Sequence, residues 1–279
     1  MNISETDILN KTRAEEHDAD VWGEFYIPPY FHKLNLKRAT KSSYIVGKRG
    51  CGKTMLLKYL DYHTAFSKNR VEMPSDEVSH VGIYWRVDTQ FCNSLNYRGL
   101  DEFDWTSIFE SYFSLVISIE IIRSLEVIAN SSYEGFSKSD FEKNILPSLS
   151  DFHPGFPNKL TEVESFLESC RRKFSSWVSN ISVFDKPFLT PGKSFLESLI
   201  KDIQQISGLE SASFYVYIDE VENLVPYQRR LLNSFLKHSQ KPLIVSFTSK
   251  EVSNETATTG PESINATHDF KLIYLDGFL

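Results

Sequence analysis

Gly47, Lys48, Arg49, Gly50, Cys51, Gly52, Lys53 and Thr54 run consecutively as GKRGCGKT. Gly47, Gly52, Lys53 and Thr54 meet the spacing G-x-x-x-x-G-K-[ST], and ordinary residue frequencies put a chance match in a chain this long at about 1%. The chemistry of such a loop is the holding of a polyphosphate. Its backbone must wrap so that successive N–H groups converge on phosphate oxygens, which requires the conformational freedom of glycine. Lys53 then reaches the β- and γ-phosphates, and the Thr54 hydroxyl offers a site to Mg²⁺. A helix starting near Lys53 adds the positive end of its dipole beneath the phosphates. The expected nucleotide-binding segment is therefore Gly47 through Thr54 together with Met55.

A second cluster lies at FYVYIDE, residues Phe214 to Glu220. A buried strand ending in two acids presents carboxylates at the carboxyl edge of a parallel sheet, where ligands of such folds bind. Asp219 is expected to hold Mg²⁺ through its water shell. Glu220 is expected to orient and deprotonate an attacking water. A third segment, PLIVSFTS (Pro242–Ser249), ends a neighbouring strand in hydroxyls. Thr248 or Ser249 could touch the γ-phosphate or the water there, and Ser246 fits less well if it lies mid-strand.

Other candidates carry less. No arginine occurs after Arg230, so a cation that neutralises transition-state charge must come from upstream, from a partner, or from sequence beyond position 279. Arg229 and Arg230 read as solvated helix charges. Cys51 sits where amides and Lys53 favour a thiolate, although small size explains it as well. The seven histidines show no paired metal spacing.

These residues need elements to hold them. The run Ser43–Val46 reads as a strand stopped by the glycine loop, and Leu56, Leu57 and Leu60 recur at helical spacing after it. His80–Val87 alternates as a strand, with Val81, Ile83, Trp85 and Val87 on one face. Trp105–Ile128 is apolar on most sides, but Glu110, Glu120, Arg123 and Glu126 exclude a membrane span and predict a buried helix instead. Further helices are predicted over 161–179, 193–206 and 227–238, and further strands at 213–218, 242–247 and 271–276. The polar run 251–268 reads as an exposed loop. Alternation of strands and helices predicts an α/β fold around a mainly parallel sheet. Residues 131–191 are proline- and loop-rich and read as an insertion containing the 161–179 helix.

Composition narrows the class. The chain has 279 residues, 41% hydrophobic and 24% charged, which is globular composition and excludes wholesale disorder. A net charge of −7 lends no support to nucleic acid as the default partner. Three scattered cysteines and no apolar leader predict a reducing, cytoplasmic setting.

GKRGCGKTMLLKYL, the upstream VWGEFYIPPYF, VGIYWRVDTQF and IDEVENL together resemble P-loop ATPases of the AAA+ type, more narrowly the bacterial origin-recognition-complex-like (ORC/CDC-type) ATPases. That resemblance implies a three-layer core over 41–279, interrupted by 131–191 and preceded by an arm and adenine-side segment over 1–40. It implies binding and hydrolysis of ATP with Mg²⁺ as cofactor, coupled to conformational change. It places Tyr26–Tyr30, with Tyr30 foremost, near the adenine. Relatives of this type carry a helical lid with a γ-phosphate-contacting arginine, and the present chain ends where that lid should begin. Many occur in mobile-element or anti-phage defence contexts, and a protein partner or self-oligomer is expected. Two other readings stand beside the ATPase. One is a nucleotide-locked interaction protein with little turnover, and the other is a DNA-associated ATPase.

Overall fold

A computed structural model describes residues 17–190, 192–266 and 268–277. The expectation of a polar arm lies outside the described residues for positions 1–16. Five strands form one sheet: β1 (Ser42–Val46), β2 (Val81–Arg86), β3 (Phe214–Asp219), β4 (Leu243–Ser249) and β5 (Phe270–Tyr274). They lie in the order β2-β3-β4-β1-β5, and every pairing is parallel. β4 thus separates β1, which leads into the glycine loop, from β3, which carries the two acids.

The longer helices are α1 (Lys53–Leu60), α2 (Glu102–Ala129), α3 (Leu160–Ser179), α4 (Lys193–Ile203) and α5 (Pro226–Lys237). α2 runs 28 residues with Asp101 capping its start by accepting the Asp104 N–H. Because it is apolar on most sides it packs against β2, α3, α4 and α5 at once. Arg123 marks its seam with α3, pairing with Glu120 of the same helix and with Glu164 and Glu168 of α3 at 2.8, 2.8 and 2.9 Å.

The period of two along each strand sorts the sheet into two faces. Phe214, Val216 and Ile218 of β3 enter one large core with Val81, Ile83 and Trp85 of β2, Leu243, Val245 and Phe247 of β4, and the buried faces of α2 to α5. Tyr215 and Tyr217 enter a smaller core with Ile45, Ile244, Ile273 and Leu56, Leu57 and Leu60 of α1. Side chains from 131–191 are continuous with the large core, among them Phe136, Leu146, Phe156 and Trp177.

Element ends shift by one to three residues from the sequence reading, most at α4, which stops at Ile203. The 251–268 run is an exposed loop, as the sequence predicts. It is tied along α5: Asn233 Nδ2 donates to the carbonyls of Glu255 (3.0 Å) and Ala257 (2.9 Å), and Lys237 Nζ to that of Ser263 (3.0 Å). Most of its described residues are exposed, and its backbone carbonyls take up donors from the flank of the helix.

Candidate functional site

The same parity decides what meets at the carboxyl edge. Asp219 follows Tyr215 and Tyr217 at steps of two, so its carboxylate lies on the α1 face. Thr248 follows Ile244 and Ser246 onto that face, and Tyr84 shares it in β2. α1 begins immediately after the glycine loop, which sets Thr54 on its first turn. The loop itself has the backbone that glycine permits. Gly50 and Gly52 sit at φ 88° and 86°, in the left-handed region. A Cβ at Gly47 would collide with the Cys51 sulfur.

Asp219 is 2% exposed, and a carboxylate in such a place demands donors. It has four. Thr54 Oγ1 donates to Oδ2 across 3.0 Å and Tyr84 OH to the same oxygen across 3.2 Å. Thr248 Oγ1 and the Glu220 N–H (3.1 Å) donate to Oδ1. Burial first, and the neighbouring Asp219 second, push the Tyr84 phenol far above its ordinary pKa, so it stays a donor. Each hydrogen bond to a charged acceptor is worth about 1.5–3 kcal/mol.

The structure thus brings Thr54, Asp219 and Thr248 together beside the loop. Of the three hydroxyls weighed on β4, Ser249 donates to the Glu251 carbonyl and Ser246 accepts the Ser43 N–H at 3.0 Å. Lys53 Nζ rests on the loop, donating to the carbonyls of Gly47 and Lys48 and lying 3.7 Å from the Cys51 sulfur. Lys48, Arg49 and Gly50 are exposed and Met55 is half-buried against the smaller core. Glu220 turns away from Asp219 at φ 61°. Its carboxylate meets Arg86, at 3.3 and 3.5 Å, and Asn223 Nδ2 at 3.3 Å. Tyr30 packs at the rim of the smaller core, its phenol raised by burial and then by neighbouring Cys51. Tyr26 is 80% exposed. Arg230, read as a solvated charge, instead pairs with Glu102 and Glu255.

Three contributors escaped sequence reasoning. Tyr84 and Arg86 lie on the second face of β2, and the alternation that puts Val81, Ile83 and Trp85 on one side already puts these two on the other. Asp276 accepts the Lys48 N–H at 3.1 and 3.2 Å. Only the parallel pairing of β5 with β1 brings it there, and no local pattern announces that.

The donor set suits a hard, oxygen-seeking cation. Thr54 donates its O–H to Asp219 in a hydrogen bond and so keeps oxygen lone pairs for a metal, and Asp219 offers carboxylate oxygens beside it. Among the described residues no group of three or more His, Cys, Asp or Glu side chains could hold a metal alone. A cation shared with phosphate oxygens needs none. No described helix is long and apolar enough to cross a membrane. The ORC-CDC6-like family model matches residues 7–279. No curated protein and no solved structure matches the chain.

Proposed function

The chain belongs to the ORC-CDC6-like family of AAA+ ATPases, and from that membership we propose that it binds ATP with Mg²⁺, hydrolyses it, and thereby gates the conformation of a larger assembly. The observation that carries this reading is the Thr54–Asp219 hydrogen bond beside the glycine loop, between residues 165 positions apart. The amides of Gly47 to Met55 take the phosphates, and Lys53 neutralises the β- and γ-oxygens once it leaves its own loop carbonyls. Tyr30 flanks the base. Magnesium, when bound, supplies charge neutralisation on the phosphate oxygens. Thr54 would be its protein ligand, and Asp219 would hold it through bound water. Glu220 takes the proton of the attacking water, and Thr248 holds Asp219 from the β4 side. In this reading residues 1–40 are the arm and adenine side, and 41–279 the ATPase core, interrupted by 131–191 as a helical and loop insertion.

Calorimetry and turnover test it. Lys53→Ala abolishes ATP binding, whereas Glu220→Gln retains binding and loses hydrolysis. Unchanged ATP affinity in Lys53→Ala overturns the site. A role in anti-phage defence belongs to the same proposal, and equal phage plating on cells carrying native or Lys53→Ala protein counts against it.

A low-turnover, nucleotide-locked variant of this reading is favoured by one observation, the engagement of Glu220 by Arg86 and Asn223. Turnover above about 1 s⁻¹ by the chain alone excludes it. The DNA-associated alternative has no comparable support at a net charge of −7. Strongly salt-dependent DNA affinity would restore it.

A further inference from the structure

Tyr84 is tied at both ends. Its hydroxyl donates to Asp219 Oδ2 at 3.2 Å, and its backbone N–H donates to Asp61 Oδ2 at 2.8 Å. In the sheet it lies opposite Tyr217, two positions before Asp219, so its phenol leans along the strands toward their carboxyl ends. Asp61 is 5% exposed and directly follows α1, where its own N–H donates to the carbonyls of Leu57 and Lys58. Its Oδ1 also accepts the His63 N–H at 3.0 Å and faces His63 Nδ1 at 2.7 Å. Thr54 stands in the first turn of the same helix and donates to the same oxygen of Asp219 as Tyr84 does.

The contacts therefore close on themselves: Thr54, Asp219, the Tyr84 side chain, the Tyr84 backbone, Asp61, and back through α1. Eight residues of helix span about 12 Å, so α1 is a rigid strut between the two carboxylates. We propose that Tyr84 is a positioning residue for the metal half of the nucleotide site. It fixes the Asp219 carboxylate against the start of α1, and it acts through Asp219 without itself touching metal or nucleotide. The proposal rests on the ATP·Mg²⁺ reading above.

The chemistry explains why a phenol serves. A carboxylate held by one donor on an oxygen can rotate about its Cβ–Cγ bond, and Thr54, which must also serve a cation, does not fix it alone. A second donor from the neighbouring strand keeps it aimed. A precisely held carboxylate behind the metal's waters matters most for Mg²⁺, which demands near-ideal octahedral geometry.

The test is a Mg²⁺ titration of binding of a fluorescent ATP analogue to the full chain, with binding in excess EDTA measured alongside. Tyr84→Phe, which keeps the ring and loses the hydroxyl, raises the Mg²⁺ concentration for half-saturation about 3- to 10-fold. It leaves metal-free nucleotide affinity nearly unchanged, whatever it does to the melting temperature. Tyr217→Phe on the same sheet face moves neither binding constant. If Tyr84→Phe melts early, Tyr84→Gln, which restores a donor on a shorter arm, recovers part of the Mg²⁺ dependence, and failure to recover any overturns the proposal. Equal loss with and without Mg²⁺ also overturns it, because a merely structural tyrosine predicts that. Native protein whose nucleotide binding ignores Mg²⁺ overturns the site reading itself. Native protein that requires Mg²⁺, with Tyr84→Phe indistinguishable from it, overturns only this proposal.

Discussion

Arg86 and Glu220 face each other across the carboxyl ends of adjacent strands, Arg86 Nε 3.3 Å from Glu220 Oε2. β2 and β3 pair so that Arg86 stands beside Asp219, and the left-handed turn at Glu220 swings its carboxylate onto the guanidinium. The two side chains are 42% and 31% exposed. An ion pair that open is worth no more than about 1 kcal/mol, which makes it a latch that breaks cheaply. Arg86→Ala should therefore leave thermal stability almost unchanged while raising ATP turnover by roughly 2- to 5-fold, the equivalent of releasing that pair. A fall in turnover at unchanged ATP affinity would instead assign Arg86 to the charge that develops on the transferred phosphate. Steady-state assays paired with calorimetry separate the two.

Thr54 carries a sharper expectation. Thr54→Val keeps shape but removes both the donor to Asp219 and the oxygen for a cation. The Mg²⁺ requirement for nucleotide binding should rise at least about 10-fold, and Thr54→Ser should stay within about 3-fold of native. Equal affinity of the valine and serine variants under Mg²⁺ would detach Thr54 from the metal.

Gly82 bears on the fold that holds this site. A Cβ there would collide with the backbone carbonyl of Leu60 at the end of α1, and the His80 ring lies 3.3 Å from the same point. Backbone cannot yield as a flexible side chain can. Gly82→Ala should cost about 1–3 kcal/mol, read as a lower urea midpoint at unchanged slope. A midpoint equal to native would mean that α1 is free to slide away from β2.

Much of this arrangement is legible in the chain because its signals are local and periodic. GKRGCGKT imposes its own loop and helix start, and the alternation in HVGIYWRV is enough by itself to assign its faces, whereas FYVYI, buried on both, shows only that a strand is there. Asp276 and Asp61 cannot be found that way. Each reaches its partner only through strand order or through the end of a helix, and both are single acids in ordinary runs. Thr248 separates from Ser249 only because Asp219 lies on the α1 face, which is a property of the folded sheet. Arg230 reads as solvated in the sequence because its partners, Glu102 and Glu255, come from an element 128 positions earlier and from the loop after β4.

His80 gives the protein a predictable sensitivity to acid. It is 3% exposed, its ring 4.4 Å from that of Tyr215 and its Nε2 2.9 Å from the Tyr217 hydroxyl. Burial, and then the positive charge of Lys37, push its pKa down to about 3, with Lys241 adding to the shift and Glu77 opposing it. The folded state keeps the ring neutral while the unfolded chain takes a proton below about pH 6.5. The stabilisation is therefore complete above that pH and is lost as pH falls toward 3, at roughly 1.4 kcal/mol per pH unit. Burial would raise Glu77, but Arg70 and Lys37 outweigh it and lower the group overall, so it adds an acid loss only below the ordinary carboxylate range. Burial would lower His63, but Asp61 outweighs it and raises the group, so its contribution fades above pH 6.5 instead. Glu110, raised by burial, runs the opposite way just above its ordinary value, so the difference between two proteins is the proper readout. Between about pH 6.5 and 4.5, denaturant midpoints of the native chain should fall more steeply than those of His80→Gln. Parallel slopes would mean that protonated His80 is accommodated in the fold.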